Sequence, residues 1–290
     1  MQSSLIADEK MTLADLLQTY SDEKQPSKRY RESLLRTVRK AQANGLLQIR
    51  QLAAEPVNRF LSGLAVGATT RSNIRRELLT LWRYAYEAGM TSEFPARITR
   101  IRPTHAPPQA WSADELSRLL ETAERDTTSI GGVTSARVMD VLPAWIGIAY
   151  DSGLRFSDVL TLDGGNFRNG CVSVVAGKTG KPLVRRLSEG TEQAVSMLLH
   201  TSPDGSLFAW AMTRKRAIKT WRAFLLRHKF NGSSKWLRRS CATYVEKDRP
   251  GGATAYLQHS HPMLAPRHYL DESLFSVPQG PPAIVRSSAR

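Results

Sequence analysis

Cysteine is scarce: Cys171 and Cys241 are the only two in 290 residues, with no CxxC pair. That excludes a disulfide-built scaffold, argues against a zinc fold and fits a reducing cytosol. Long apolar runs are missing as well. The most apolar stretch, VLPAWIGIAY, falls short of the roughly 20 residues a membrane-spanning helix needs. The N-terminus, MQSSLIADEKMTLADLL, lacks both the basic start and the apolar core of a secretory signal, so the expected location is cytoplasmic. Acidic residues are the third shortage: 26 Asp and Glu stand against 41 Lys and Arg, a formal charge of +15. Such a surplus points to a polyanionic partner, nucleic acid ahead of an anionic membrane surface. Repeats and low-complexity blocks are absent too.

The 41% hydrophobic content is enough for packed cores, and the length suits two domains. PTHAPPQA, residues 103–110, is the clearest linker, with three prolines and no apolar periodicity. It separates a helical domain over 1–102 from a mixed domain over 111–275, and 276–290 is a proline-rich tail. In the first part, Thr12 is a plausible N-cap with Asp15 at N3. SLLRTVRKAQANG aligns Leu34, Leu35 and Val38, and ends near Gly45. TRSNIRRELLTLWRYAYEAG aligns Ile74, Leu78, Leu81, Trp82 and Ala85, and stops at Gly89. The polar faces of these helices carry Arg36, Arg39, Lys40, Arg71, Arg75, Arg76 and Arg83 with few carboxylates to balance them. That weighs toward phosphate contact over a merely solvated face.

After the linker, WSADEL reads as a capping box on Ser112 and Glu115, with Trp111 and Leu116 as the staple. A long apolar helix is expected over about 135–152, then a β-hairpin around GKTGK, then a helix capped by Thr213. The last carries a dense basic face that includes Arg214, Lys215, Lys219 and Arg222. The fold class expected is mainly α with a small β component (α+β).

Four short segments carry residues suited to phosphate chemistry. Arg155 stands three residues before Asp158, Lys178 sits on the hairpin tip, Lys235 and Arg238 share a helical face, and His259 precedes Tyr269 by ten. Each has a bland reading: a salt-bridged arginine, a solvated lysine, a loop histidine. Together they are two arginines, two lysines and a histidine around a phenol. Arginine binds two phosphate oxygens at once and keeps its proton. A tyrosine hydroxyl with a pKa near 10 needs a base or a cationic field to become a nucleophile.

In order and kind, these segments resemble the tyrosine recombinase (phage integrase) family. SGLRFSDVLTLDGGNF is similar to its first arginine box, GKTGKPLVRRL to its lysine hairpin, KWLRRSCAT to its HxxR box, and LQHSHPMLAPRHYLD to its LGH and tyrosine boxes. The resemblance covers most of residues 109–273 and extends more loosely to the N-terminal helices. It implies a core-binding domain and a catalytic domain closing as a C-shaped clamp on double-stranded DNA, with no cofactor, metal or ATP. Arg155 and Arg238 would clamp the scissile phosphate, Lys178 would protonate the 5′ oxygen, and His259 would hydrogen-bond the phosphate. Tyr269 would form a 3′-phosphotyrosine. Recombination would assemble a tetramer of this chain on its sites, in which 276–290 takes the docking role, with an accessory directionality protein as a further partner. Two positions depart from the family. Lys235 stands where histidine is commonest, which bears on the general base, and Gln258 replaces the glycine before His259.

Three other readings stay open at this level. A type IB topoisomerase shares the chemistry, and a DNA-binding regulator needs only the basic faces. A membrane-surface protein would use Trp221, Phe224 and Leu225 opposite the charges of the 213–230 helix. A zinc site in HSHPMLAPRHY lacks the cysteine or carboxylate pattern to complete four ligands. His261 and His268 read as incidental.

Overall fold

A computed structural model describes residues 11–103, 106–131, 136–175, 177, 180–202 and 204–275. The chain divides into two compact units, Met1–Ala106 and Pro107–Arg290, parted within the proline-rich stretch.

The first unit is helical: α1 (Leu13–Lys24), α2 (Lys28–Ala43), α3 (Ala54–Gly63) and α4 (Ala68–Glu87). α1 starts at a capping box, in which Asp15 donates its N–H to the Thr12 hydroxyl at 3.2 Å and its carboxylate accepts the Thr12 N–H at 2.9 Å. Gly45 and Gly89, with φ +84° and +71°, follow α2 and α4 in the left-handed conformation that lets a helix end turn away. Of the apolar positions picked out by helical spacing, Leu34, Val38, Ile74, Leu78, Leu81, Trp82 and Ala85 are buried, and Leu35 is partly buried against them. Each such Leu contributes about 1.5–3 kcal/mol. One carboxylate sits inside this core. Glu77 on α4 accepts hydrogen bonds from Ser33 at 2.7 Å and Thr37 at 2.5 Å on α2, and these satisfy a group whose bare burial would be costly.

The second unit begins with α5 (Ala113–Arg125), opened by the reciprocal bonds of Ser112 and Glu115 at 3.2 and 2.8 Å. α6 (Val138–Ser152) buries most of its length and leaves no residue fully exposed, as the apolar stretch from Val141 to Tyr150 requires. Then come α7 (Phe156–Val159), the strands β1 (Phe167–Arg168), β2 (Cys171–Val175) and β3 (Pro182–Arg186), and α8 (Glu189–Thr201). The sheet is antiparallel in the order β1-β2-β3, with Cys171 opposite Arg186 and Val175 opposite Pro182. The hairpin is where GKTGK pointed; the two-residue β1 was not legible, being too short to show alternation. α9 (Arg214–Arg227) starts on Thr213, whose hydroxyl accepts from the Arg216 N–H at 3.3 Å. α10 (Ser234–Asp248), α11 (Gly252–Tyr256) and α12 (Leu264–His268) complete the unit. Trp221, Phe224 and Leu225 are only 2, 0 and 5% exposed. They pack into the core with Trp111 and Trp145, so the apolar face that a membrane-surface reading needs is already occupied. Among the described residues no helix is long and apolar enough to cross a membrane.

Candidate active site

The site is built around α10. Its Arg238 is 6% exposed. One guanidinium nitrogen donates to the Gly153 carbonyl at the end of α6. The other donates to the Leu257 carbonyl at 3.3 Å and lies 3.3 Å from His259 Nε2. Gly153 is required twice over. Its φ of +62° ends α6, and a Cβ there would lie 2.6 Å from Leu257 Cδ2 and 3.0 Å from Cys241 Sγ. Two residues later Arg155 caps the start of α7 and meets Asp158 at 3.8 Å. The salt-bridge reading of Arg155 therefore holds in part, but the pair sits at the outer limit of an ion pair.

Burial pushes the Arg238 pKa below the ordinary arginine value; Tyr269 opposes that shift, and the like charge of Arg155 adds to it. Arginine keeps its proton even so. Among the described residues no carboxylate lies within ion-pair range of Arg238, and its buried Nε–H has no hydrogen-bond partner. A buried cation in this state is expensive, and an anion seated against it relieves the cost.

His259 and Tyr269 come to the same point from opposite sides of a turn. Their ring centroids are 4.7 Å apart at 40°, and the Arg238 guanidinium carbon lies 5.1 Å from the Tyr269 ring centre. Tyr269 ends α12, with its N–H bonded to the Ala265 carbonyl at 2.9 Å. α10 holds that segment directly: Arg239 donates to the His268 carbonyl at 3.2 Å, and Thr243 accepts the Asp271 N–H at 3.0 Å. Gln258 adopts φ +52°, the left-handed region in which glycine alone is unstrained, which explains why the resembled family favours glycine there. Lys235 is exposed on the first turn of α10, three residues before Arg238. Lys178 lies outside the described residues, as does the tail over 276–290. The structure thus brings Arg238, His259 and Tyr269 together, with Arg155 near enough for its charge to act on Arg238. His261 stands apart, its Nδ1 accepting the Met263 N–H at 3.2 Å. Among the described residues no group of three or more His, Cys, Asp or Glu could hold a metal ion.

The basic faces sort into two kinds. Arg36, Arg39, Lys40, Arg76, Arg214, Lys215, Lys219 and Arg222 are exposed. Arg71 and Arg75 are partly buried and spend their guanidinium groups on backbone. Arg71 donates to the Leu64 and Val66 carbonyls at 3.0 and 3.3 Å, and Arg75 to those of Thr99 and Ile98 at 2.9 and 3.1 Å. A groove of about 490 Å³ on the first unit is lined by Tyr20, Lys24, Arg76, Arg83 and Tyr84, among others. The two tyrosines were not singled out by sequence. Tyr84 donates to Glu23 at 2.6 Å, and that bond, with burial behind it, pushes its pKa up to about 12. No local pattern announces a pairing 61 residues apart.

This arrangement of helices around one small antiparallel sheet is the fold of the tyrosine recombinases. Solved structures of that class match the chain closely in shape. A lambda integrase tetramer bound to a Holliday junction superposes with a TM-score of 0.71 over 95% of this chain and 82% of that one, at 15% identity. The Tn1549 transposon integrase in complex with circular intermediate DNA gives 0.71 over 90% and 96%, at 14% identity. The XerH site-specific recombinase bound to a palindromic difH substrate gives 0.68 over 87% and 79%, at 16% identity. No family model and no curated protein matches the sequence.

Proposed function

We propose that this chain is a site-specific DNA recombinase of the tyrosine type. The observation that carries the reading is Arg238: a buried guanidinium with no carboxylate in ion-pair range among the described residues, set against His259 and a tyrosine ring. The arginines take the non-bridging oxygens of the scissile phosphodiester, where charge builds in the transition state. The Tyr269 hydroxyl attacks phosphorus; a new phosphorus–oxygen bond to the phenol forms as the bond to the 5′ oxygen breaks. The phenol proton passes to the neutral amine form of Lys235 acting as base, and Lys178, as the ammonium, delivers a proton to the departing 5′ oxygen. One phosphoester replaces another, so the energy for rejoining stays in the tyrosyl link. His259 donates to the phosphate.

Duplex DNA is the partner that fits the +15 charge and the DNA-bound state of the matched structures. Exposed Arg36, Arg39, Lys40, Arg76, Arg214, Lys215, Lys219 and Arg222 contact its backbone. Assembly as a tetramer follows the lambda integrase complex on a Holliday junction. The protein acts in the cytoplasm of its cell.

The test is trapping with DNA that flanks the gene. Wild type should form SDS-resistant adducts that map to Tyr269 and vanish in Tyr269→Phe. Tight binding without any adduct would make the chain a DNA-binding regulator, and relaxation of plasmid without recombinants would make it a topoisomerase.

A further inference from the structure

The stretch that carries Tyr269 is tied on both sides to the residues that open the second unit. Before the tyrosine, Arg239 donates to the His268 carbonyl at 3.2 Å and to the Gln109 carbonyl at 3.5 Å. After it, the Asp271 carboxylate accepts the Ala110 N–H at 2.8 Å, from 161 residues away in the chain. Ala110 and Asp271 are both buried. A buried carboxylate is costly unless it is satisfied, and this one is used on both oxygens. Oδ2 serves Ala110, while Oδ1 accepts from the Ser273 N–H and hydroxyl at 3.1 and 2.6 Å. The opening segment is itself fixed to α10, because Ser240 bonds the N–H and the carbonyl of Trp111.

We infer that Asp271 is a positioning residue: by holding Ala110 it anchors the stretch that carries Tyr269 and so sets where the phenol stands against Arg238 and His259. The tie lies two residues from the nucleophile and acts on it alone. Arg238 is held elsewhere, by the Gly153 and Leu257 carbonyls. Attack requires the reacting atoms within about 3–3.5 Å of each other, so a small drift of the tyrosine is costly in rate. The inference rests on the recombinase reading, in which Tyr269 attacks phosphorus. It deepens that reading by naming what keeps the nucleophile in register. Arg239 supports the same junction, but its charge also bears on Tyr269, so Asp271 is the cleaner probe.

The experiment uses the full chain in two reactions on site DNA. The first is single-turnover adduct formation, which needs the Tyr269 hydroxyl. The second is run in a Tyr269→Phe background on nicked DNA whose 3′ end is a 4-nitrophenyl phosphate. There the adjacent 5′ hydroxyl attacks phosphorus and loses its proton to buffer, and nitrophenolate leaves with the bonding electrons. That reaction needs the phosphate clamp but no tyrosine. Asp271→Ala removes the tie; Asp271→Asn keeps the shape with a single neutral acceptor. Asp271→Ala should form adduct about tenfold more slowly, the worth of one hydrogen bond to a charged group, and Asp271→Asn should recover part of the loss. DNA affinity should be unchanged, and nitrophenolate release should match that of Tyr269→Phe alone. Adduct formation by Asp271→Ala at the wild-type rate would overturn the inference. Equal loss in both reactions would trace the effect to the site at large and overturn it too. Should Asp271→Ala fail to fold, Asp271→Asn decides by the same two readings. If the wild type forms no adduct and Tyr269→Phe releases no nitrophenolate, the recombinase reading itself fails.

Discussion

Arg238→Ala separates catalysis from folding, and the structure gives the size of each effect. On the catalytic side, the substitution removes the donors nearest His259 and Tyr269. Loss of one oxyanion donor in a dry site costs about 3 kcal/mol, or roughly 10²–10³ in rate. On the folding side two contributions oppose. The Gly153 and Leu257 carbonyls lose their donors, at about 1 kcal/mol each. A buried charge with no carboxylate in range among the described residues also disappears, which recovers desolvation energy. The net change in stability should stay within about 2 kcal/mol, or a few degrees in Tm. Arg238→Lys keeps the charge but loses the two-pronged geometry and should fall between. The assay is single-turnover adduct formation on an SDS gel, with filter binding and a thermal melt on the same preparations. Adduct formation by Arg238→Ala within tenfold of wild type would refute the phosphate clamp. So would a loss matched by equal losses of binding and folding, since Arg238 would then be a structural strut.

Two basic residues of the first unit should behave differently although both read alike in sequence. Arg76→Ala should lower the slope of log binding constant against log salt by about 0.9, the signature of one phosphate contact. Arg71→Ala should leave the slope alone and destabilise by about 1–2 kcal/mol, because its guanidinium holds the Leu64 and Val66 carbonyls; equal slopes for both would mean the two faces were misassigned. Away from the site, Asp126 accepts from the Thr128 N–H at 2.9 Å, from Arg227 and from His228 at 2.9 Å. Burial alone would raise its pKa, but Thr128, His228 and Arg227 together outweigh it and hold the carboxyl below its ordinary value. A depressed folded pKa stabilises above the unfolded value of about 3.9 and is lost as pH falls through the folded one. The Tm gap between wild type and Asp126→Asn should therefore be widest near neutrality and close in acid, and a gap that stays constant would exclude this linkage.

The parts legible in sequence were those with a local signature. Thr12, Ser112 and Thr213 announce helix starts because a cap is a matter of three residues. Leu34, Val38 and Leu81 announce the core because burial follows the helical period. Arg238 stood out because Lys235 sits one turn away, and Tyr269 because His259 is close in sequence. The Asp271–Ala110 bond, the Arg71 and Arg75 anchors and the Glu77 cluster are of another kind. They join side chains to groups up to 161 residues distant, often to a backbone group that every residue possesses, so no residue type marks the partner. Sequence alone gave Arg71, Arg75 and Arg76 one common role, because charge is visible in a sequence and the direction of a side chain is not.

α10 has a consequence for how this protein can change over generations. From Leu237 to Thr243 only Arg239 escapes burial, and Arg239 is itself bonded to the His268 carbonyl. Ser240 bonds the Trp111 backbone at 2.9 and 3.2 Å, Cys241 packs on Gly153, and Thr243 grips the segment after Tyr269. An ordinary surface helix offers drift a neutral side, where one residue in two or three can be exchanged at will. This one offers none over two turns, so its substitutions have to arrive in matched sets with α6, α12 and the start of the unit. Lineages of this chain should carry a nearly frozen block there while the exposed helices around it diverge.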